Sequence, residues 1–166
     1  MMMAVDLRPM TPEEFVAYEQ ADAHRYAQAM VSAGYWSSDD ALKRAKDTHA
    51  KLLPDGIHTK DHLFFVIHSS TDRIPVGAIW LFIDRQTTPP SGFIYDLLVH
   101  EPYRRRGFGR EAMLALEEKA KGLGLGSLAL HVFEENAPAR ALYASLGYLV
   151  KSMNMTKALP GSKRSD

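Results

Sequence analysis

The sequence predicts one mixed α/β domain of the α+β kind, and three observations predict it. A length of 166 residues allows roughly one domain. Runs rich in β-formers alternate with helical stretches in the order β-α-α-β-β-β-α-β-α-β. One of those strands leads through a glycine-bearing turn into an amphipathic helix, so the strands on either side of that helix should run parallel within a mixed sheet. The domain is placed at residues 1–157, with a polar tail over 158–166.

The elements follow in order. Ala4–Arg8 reads as a short strand stopped by Pro9. Thr11-Pro12-Glu13-Glu14 opens a helix, with Thr11 as N-cap, Pro12 in the first turn and Glu14 closing a capping box. The helix runs to about Ala33 and ends at Gly34. Ser37-Ser38-Asp39-Asp40 caps a second helix, which Leu53-Pro54-Asp55-Gly56 breaks. Leu63–Ser69 and Val76–Ile83 form an antiparallel hairpin around Ser70–Arg73. After a loop over Thr87–Gly92, Phe93–Val99 is apolar enough for a strand covered on both faces. Gly107–Leu123 is a helix with Phe108, Ala112, Leu116, Ala120 and Leu123 on one stripe, ended by Gly124–Gly126. Ser127–Phe133 is a strand, and Asn136–Leu146 is a short helix capped by Asn136 and closed by Gly147. Tyr148–Thr156 is the last predicted strand.

Composition removes several classes of function. There are no cysteines, hence no disulfide framework, thiolate metal site or cysteine nucleophile. Twenty basic residues balance twenty acidic ones, which disfavours a nucleic-acid partner. The longest apolar run, Val76–Ile83, falls far short of the roughly 18 residues that span a bilayer, so no membrane partner is expected. The start, MMMAVDLRPM, lacks the pattern of a signal peptide, and a cytoplasmic location is expected. His58 and His62 lie four apart but beside a Gly-Asp turn, a poor setting for metal ligands, and no metal site is assigned. His131 alternates with Ala129 and Phe133, which suits core or cleft lining better than catalysis. No Gly-x-Ser-x-Gly elbow is present.

The chemistry concentrates in Arg104-Arg105-Arg106-Gly107-Phe108-Gly109-Arg110. Glycines let a backbone turn approach a ligand, free amides at a helix start point at it, and the helix dipole and four arginines add positive charge. This is a site for phosphates. The nucleoside-triphosphate loop pattern is absent. A dinucleotide fingerprint, Gly107-x-Gly109-x-x-Ala112 with Glu134 as ribose-binding acid, fits in part. Against it, His100–Arg106 separates strand from glycine, and the chain after Gly109 is too short for a doubly wound sheet.

The stretch Tyr95–Gly109 resembles the strand and Gln/Arg-x-x-Gly-x-Gly/Ala loop of the GNAT N-acetyltransferases. Leu130–Tyr148, containing Asn136-Ala137-Pro138-Ala139-Arg140-Ala141-Leu142-Tyr143, is similar to that family's Asn-x-x-Ala-x-x-Leu-Tyr segment. The resemblance is close over Leu63–Thr156. It implies a mixed central sheet of about six to seven strands flanked by about four helices. It also implies acetyl-CoA as cosubstrate, with the pyrophosphate on the amides of Arg104, Arg105, Arg106, Gly107, Phe108, Gly109 and Arg110. The pantetheine arm would lie along Leu97, Leu98 and Val99, where two parallel strands splay apart, with Asn136 and Tyr143 across the gap. The implied reaction is direct attack of an amine on the thioester.

Tyr143 matches the family's acid for the departing sulfur; its other reading is a core aromatic on an amphipathic helix. Asp96 interrupts an apolar strand, where a buried carboxylate is costly unless paired. It is either the acceptor of the amine proton or a structural aspartate bonded to an arginine or backbone. Tyr35, Trp36 and Leu53–Gly56 stand where the family builds its acceptor wall. The acceptor is left as the primary amine of a small molecule or of a peptide or protein N-terminus, and a homodimer is left open. Two other functions remain at this stage: a silent acyl-CoA-binding module, and an NAD(P)-dependent oxidoreductase.

Overall fold

The computed structural model describes residues 4–161. Three layers make up the fold. The central sheet holds five strands in the order β1-β2-β3-β4-β5: β1 (Val5–Pro9), β2 (His62–Ser69), β3 (Pro75–Asp84), β4 (Ser91–Val99) and β5 (Ser127–Leu130). The first four are antiparallel, and β4 pairs with β5 in parallel. With that single parallel pair the sheet is not doubly wound, which removes the dinucleotide fold.

Helices α1 (Pro12–Ser32) and α2 (Ala41–Leu52) cover one face. Helix α3 (Phe108–Gly122) covers the other, and α4 (Ala137–Ser145) follows β5. The Thr11 capping box is formed in both directions, Glu14 N–H to Thr11 Oγ1 at 3.2 Å and Thr11 N–H to Glu14 Oε2 at 2.9 Å. Asp40 stands at the N-cap of α2 but makes no side-chain cap bond; its carboxylate instead receives Arg44 Nε at 3.0 Å.

Side-chain alternation along the inner strands builds two cores, because successive residues of a strand point to opposite faces. Phe65, Ile67, Ile79, Leu81 and Ile94 pack under Ala112, Met113 and Leu116 of α3. Phe64, Val66, Ala78 and Trp80 pack under Phe15 and Tyr18 of α1. Ala23 and Ala27 of α1 meet Ala41 and Ala45 of α2, so small side chains let these helices approach closely. Gly77 is required by a close approach: a Cβ there would run into the Leu98 carbonyl.

Two expectations are corrected. The sheet has five strands, not six to seven, and Tyr148–Thr156 is no strand. Beyond Tyr148 that segment joins neither sheet edge, and Leu149, Val150, Met153 and Met155 stand exposed. Strand β4 is covered on both faces only in its first half; from Tyr95 onward it lies at an opening. Among residues predicted as polar tail, 162–166 lie outside the described part of the chain.

Candidate active site

The pairing of β4 with β5 stops early. Ser91–Ile94 lie opposite Ser127–Leu130, whereas β4 continues to Val99 with only β3 beside it. The second half of β4 therefore faces a wedge-shaped gap, and α4 carries Asn136 and Tyr143 after the other strand. Backbone polar groups alternate sides along an antiparallel strand. His100 N–H donates to Val76 C=O at 2.8 Å, and the Leu98 carbonyl faces Gly77, so Leu98 is spent on β3. Leu97 consequently turns its amide and carbonyl toward the gap, as does Val99, whose carbonyl already accepts from Arg104 Nε at 2.9 Å.

The register shifts between Trp80 and Leu81, which lie opposite Asp96 and Ile94, leaving Tyr95 as an extra residue on β4. Such a bulge re-aims side chains at a strand edge. Here it stacks Tyr95 on Trp80 (centroids 4.6 Å apart) and turns Asp96 toward α1. Asp96 Oδ2 accepts from Tyr18 Oη and from Arg25, each at 2.8 Å. Arg25 donates equally to Asp22 Oδ1 at 2.8 Å, and Asp22 Oδ2 lies 3.1 Å from His49 Nε2. Nδ1 of His49 is buried without a hydrogen-bond partner. Burial first, and the Asp22 charge second, push the Asp96 carboxyl up to about 7, against the pull of Arg25 and Tyr18. Burial also raises the Tyr18 phenol well above its ordinary range, so it stays a donor.

Tyr18, Asp22, Arg25 and His49 were not singled out from the sequence. For three of them a signal was legible: Tyr18, Asp22 and Arg25 fall at i, i+4 and i+7 on α1, setting an acid and an arginine on the same helix face as Tyr18.

Tyr143 is largely buried, its ring 5.8 Å from Tyr148. Burial, then the Asp96 charge, push its hydroxyl up to about 12. Asn136 caps α4 through Oδ1, which accepts from Ala139 N–H at 3.3 Å.

The glycine turn opens α3. Arg105 (φ 64°) and Gly107 (φ 86°) are left-handed, and the first intrahelical bond joins Glu111 N–H to Gly107 C=O at 3.1 Å. The amides of Phe108, Gly109 and Arg110 thus precede the helical ladder and point out of its mouth. The Arg104 amide differs: it donates to Glu101 C=O at 3.2 Å, while its Nε holds Val99 C=O at 2.9 Å. Arg106 lies over the Phe108 ring, and Arg110 reaches Ser145 on α4 at 3.0 Å. Among the described residues the Arg105 side chain makes no hydrogen bond, ion pair or ring contact.

The remaining candidates divide. Trp36 packs edge-on to Tyr26 between the helices, under Arg44. Tyr35 is exposed and lies 6.4 Å from Phe133, beyond the end of β5. His62 is structural: its Nδ1 accepts from Trp80 Nε1 at 2.9 Å. His131 stands edge-on to Phe133.

Comparison with known proteins agrees with this geometry. The family described as "Acetyltransferase (GNAT) family" matches residues 17–148. A Bacillus subtilis (strain 168) protein named as an uncharacterized N-acetyltransferase, YycN, is 35% identical over 157 residues, 95% of this chain and 100% of its own. The crystal structure of YycN superposes with a TM-score of 0.89 over 93% of this chain and 98% of that one. The L-ornithine N5-acetyltransferase NATA1 of Arabidopsis thaliana is 31% identical over 103 residues, 61% of this chain and 44% of its own. The splayed strands, the open helix mouth, the family match over residues 17–148 and the YycN match along 95% of the chain place it in the GNAT family of N-acetyltransferases.

Proposed function

We propose that the protein transfers the acetyl group of acetyl-CoA to the primary amine of a small molecule or of a peptide N-terminus, by direct attack. One observation carries this reading: the interrupted β4–β5 pair leaves the backbone groups of Leu97 and Val99 facing a gap that ends at the mouth of α3. The residues suit the cosubstrate. Leu97 and Val99 offer an edge to which the amides of a pantetheine arm add like a strand. The amides of Phe108, Gly109 and Arg110, extended by Arg105, Arg106 and Gly107, receive the pyrophosphate, and the dipole of α3 favours its charge. Arg104 contributes through its side chain, which fixes the Val99 carbonyl.

Acetyl-CoA supplies an activated thioester, and the chain supplies position and proton management. The amine reaches the cleft as an ammonium ion and must lose a proton. Asp96, held near 7, is a far better match for that proton than an ordinary carboxylate. Both Tyr18 and Arg25 donate to Oδ2, and Oδ1 is assigned to the amine or an intervening water. An amide of β4 facing the gap serves as donor to the developing oxyanion. Tyr143 hydrogen-bonds the departing sulfur. With its hydroxyl near 12 and a thiol near 8.5, full proton transfer is uphill by roughly 5 kcal/mol, so its contribution is the hydrogen bond. NATA1 acts, by its name, on the side-chain amine of ornithine, which supports an aliphatic primary amine as acceptor.

A thiol-release assay with acetyl-CoA over a panel of amino acids, polyamines and short peptides tests the reading, alongside calorimetry with CoA. Binding and turnover with at least one amine are expected. Binding without turnover would leave a silent acyl-CoA-binding module, and no heat with CoA at millimolar concentration would end the proposal.

A further inference from the structure

The segment after α4 carries a surface that a lone chain leaves bare. Tyr148 is anchored, its N–H donating to Tyr143 C=O at 3.0 Å and its ring against Tyr143. From Leu149 to the last described residue, Gly161, the chain runs on with no helix or strand. Leu149, Val150, Met153 and Met155 are 79%, 79%, 72% and 88% exposed. A soluble monomer's largest exposed apolar patch is roughly 300–600 Å². Four large apolar side chains so exposed within seven consecutive residues are a concentration that such a surface rarely leaves uncovered.

The same chain offers a matching edge. The sheet ends at β1 on one side and β5 on the other. Strand β1 carries Asp6, Arg8 and Pro9, devices that blunt an edge against further pairing. Strand β5, Ser127-Leu128-Ala129-Leu130, has no charge and no proline, and its side chains are only half covered. It therefore presents open backbone donors and acceptors beside apolar side chains. The segment 149–156 is rich in apolar residues with β propensity, holds one charge (Lys151) and has no glycine or proline. Donor segment and acceptor edge sit on one chain, so a two-fold axis satisfies both at once and the assembly closes as a dimer.

We infer that two copies of this chain exchange residues 149–156, each adding them to the free edge of the partner's β5. Covering these side chains in both copies, with the strand backbones, removes on the order of 1,200 Å² or more, the lower bound of a stable interface. The exchange supplies the sixth strand that the sequence calls for and the single chain lacks. It also braces β5, which leads directly to Asn136 and Tyr143.

The test uses the full chain and a chain ending at Tyr148. Sedimentation at micromolar concentration should give a dimer for the first and a monomer for the second. A monomeric full chain overturns the inference, as does a dimer that survives the deletion. Because the chain has no cysteine, pairing can be read directly as well. Chains carrying Ala129→Cys are mixed with chains carrying a single cysteine at 151, 153 or 155, then oxidised. Cross-links between the two kinds of chain are expected for at least one position. Their absence, or cross-linking only within one chain when both cysteines are placed together, sinks strand exchange even if the truncated chain fails to fold.

Discussion

Arg25 on α1 donates from a single nitrogen, at 2.8 Å in each case, to Asp96 on β4 and to Asp22 one helical turn away. One guanidinium therefore stands between two carboxylates that would otherwise repel across the floor of the cleft. The arrangement explains why Asp96 is tolerated in an apolar strand, and why its proton is still held far above the usual carboxylate range. The structural and catalytic readings of Asp96 are thus compatible, since the same network that anchors it sets its basicity.

Removing the cation should expose that balance. Arg25→Met keeps much of the aliphatic stem but leaves Asp22 and Asp96 facing each other, and breaking a buried pair in this way costs about 3 kcal/mol. Urea denaturation at neutral pH should show that loss, with a smaller loss in acid, where Asp96 takes up a proton. A change below 0.5 kcal/mol at neutral pH would show that the pair does not matter.

The pH dependence of stability has a definite sign. The folded Asp96 carboxyl sits near 7, above its unfolded value near 3.9, so the folded state binds the extra proton. This group accordingly lowers stability as pH rises from about 4, and its penalty is complete once pH passes about 7. Asp96→Asn, which stays neutral, should flatten that part of the stability curve. Thermal melts of both proteins between pH 4 and 8 check it.

Catalysis should follow the same group in the opposite sense. The ionised carboxylate accepts the amine proton, so kcat/KM should climb through about pH 7 and level off above it. Asp96→Asn should lower kcat by about 10²-fold with little change in acetyl-CoA affinity, as is usual for losing a general base. An unaltered pH–rate profile in the variant would place the proton route elsewhere.

Much of this was legible in the chain before folding, for reasons that separate local from distant causes. The Thr11–Glu14 box, the Asn136 cap and the Gly107 turn are set by residues within a few positions, and each formed as the sequence implied. The Tyr18–Asp96 bond joins residues 78 apart, and the bulge at Tyr95 that makes it possible depends on strand register. No local pattern reports either. Tyr148–Thr156 reads as a strand because its residues favour one, yet a strand needs an edge to pair with, and propensity cannot say where that edge is.

Tyr143→Phe separates ring from hydroxyl. The ring keeps its packing against Tyr148, so stability should change by less than about 1 kcal/mol. The lost hydrogen bond to the departing sulfur should lower kcat by about 10- to 100-fold at unchanged KM for acetyl-CoA. A proportionate rise in KM with kcat intact would instead mark the hydroxyl as a binding group.

Gly107 isolates the backbone contribution at the helix mouth. A Cβ at this position meets nothing within 4 Å, so Gly107→Ala brings no collision. Its cost is conformational, because φ is 86° and an L side chain resists that region by about 1–2 kcal/mol. The turn then relaxes toward negative φ and the amides of Phe108 and Gly109 rotate away from their common target. Calorimetry should show CoA binding weakened by about tenfold or more, while dephospho-CoA, which keeps the pyrophosphate, should lose affinity by the same factor. Pantetheine alone, which bypasses the helix mouth, should bind the variant and the parent equally, and a matching loss for pantetheine would mean the whole cleft had moved.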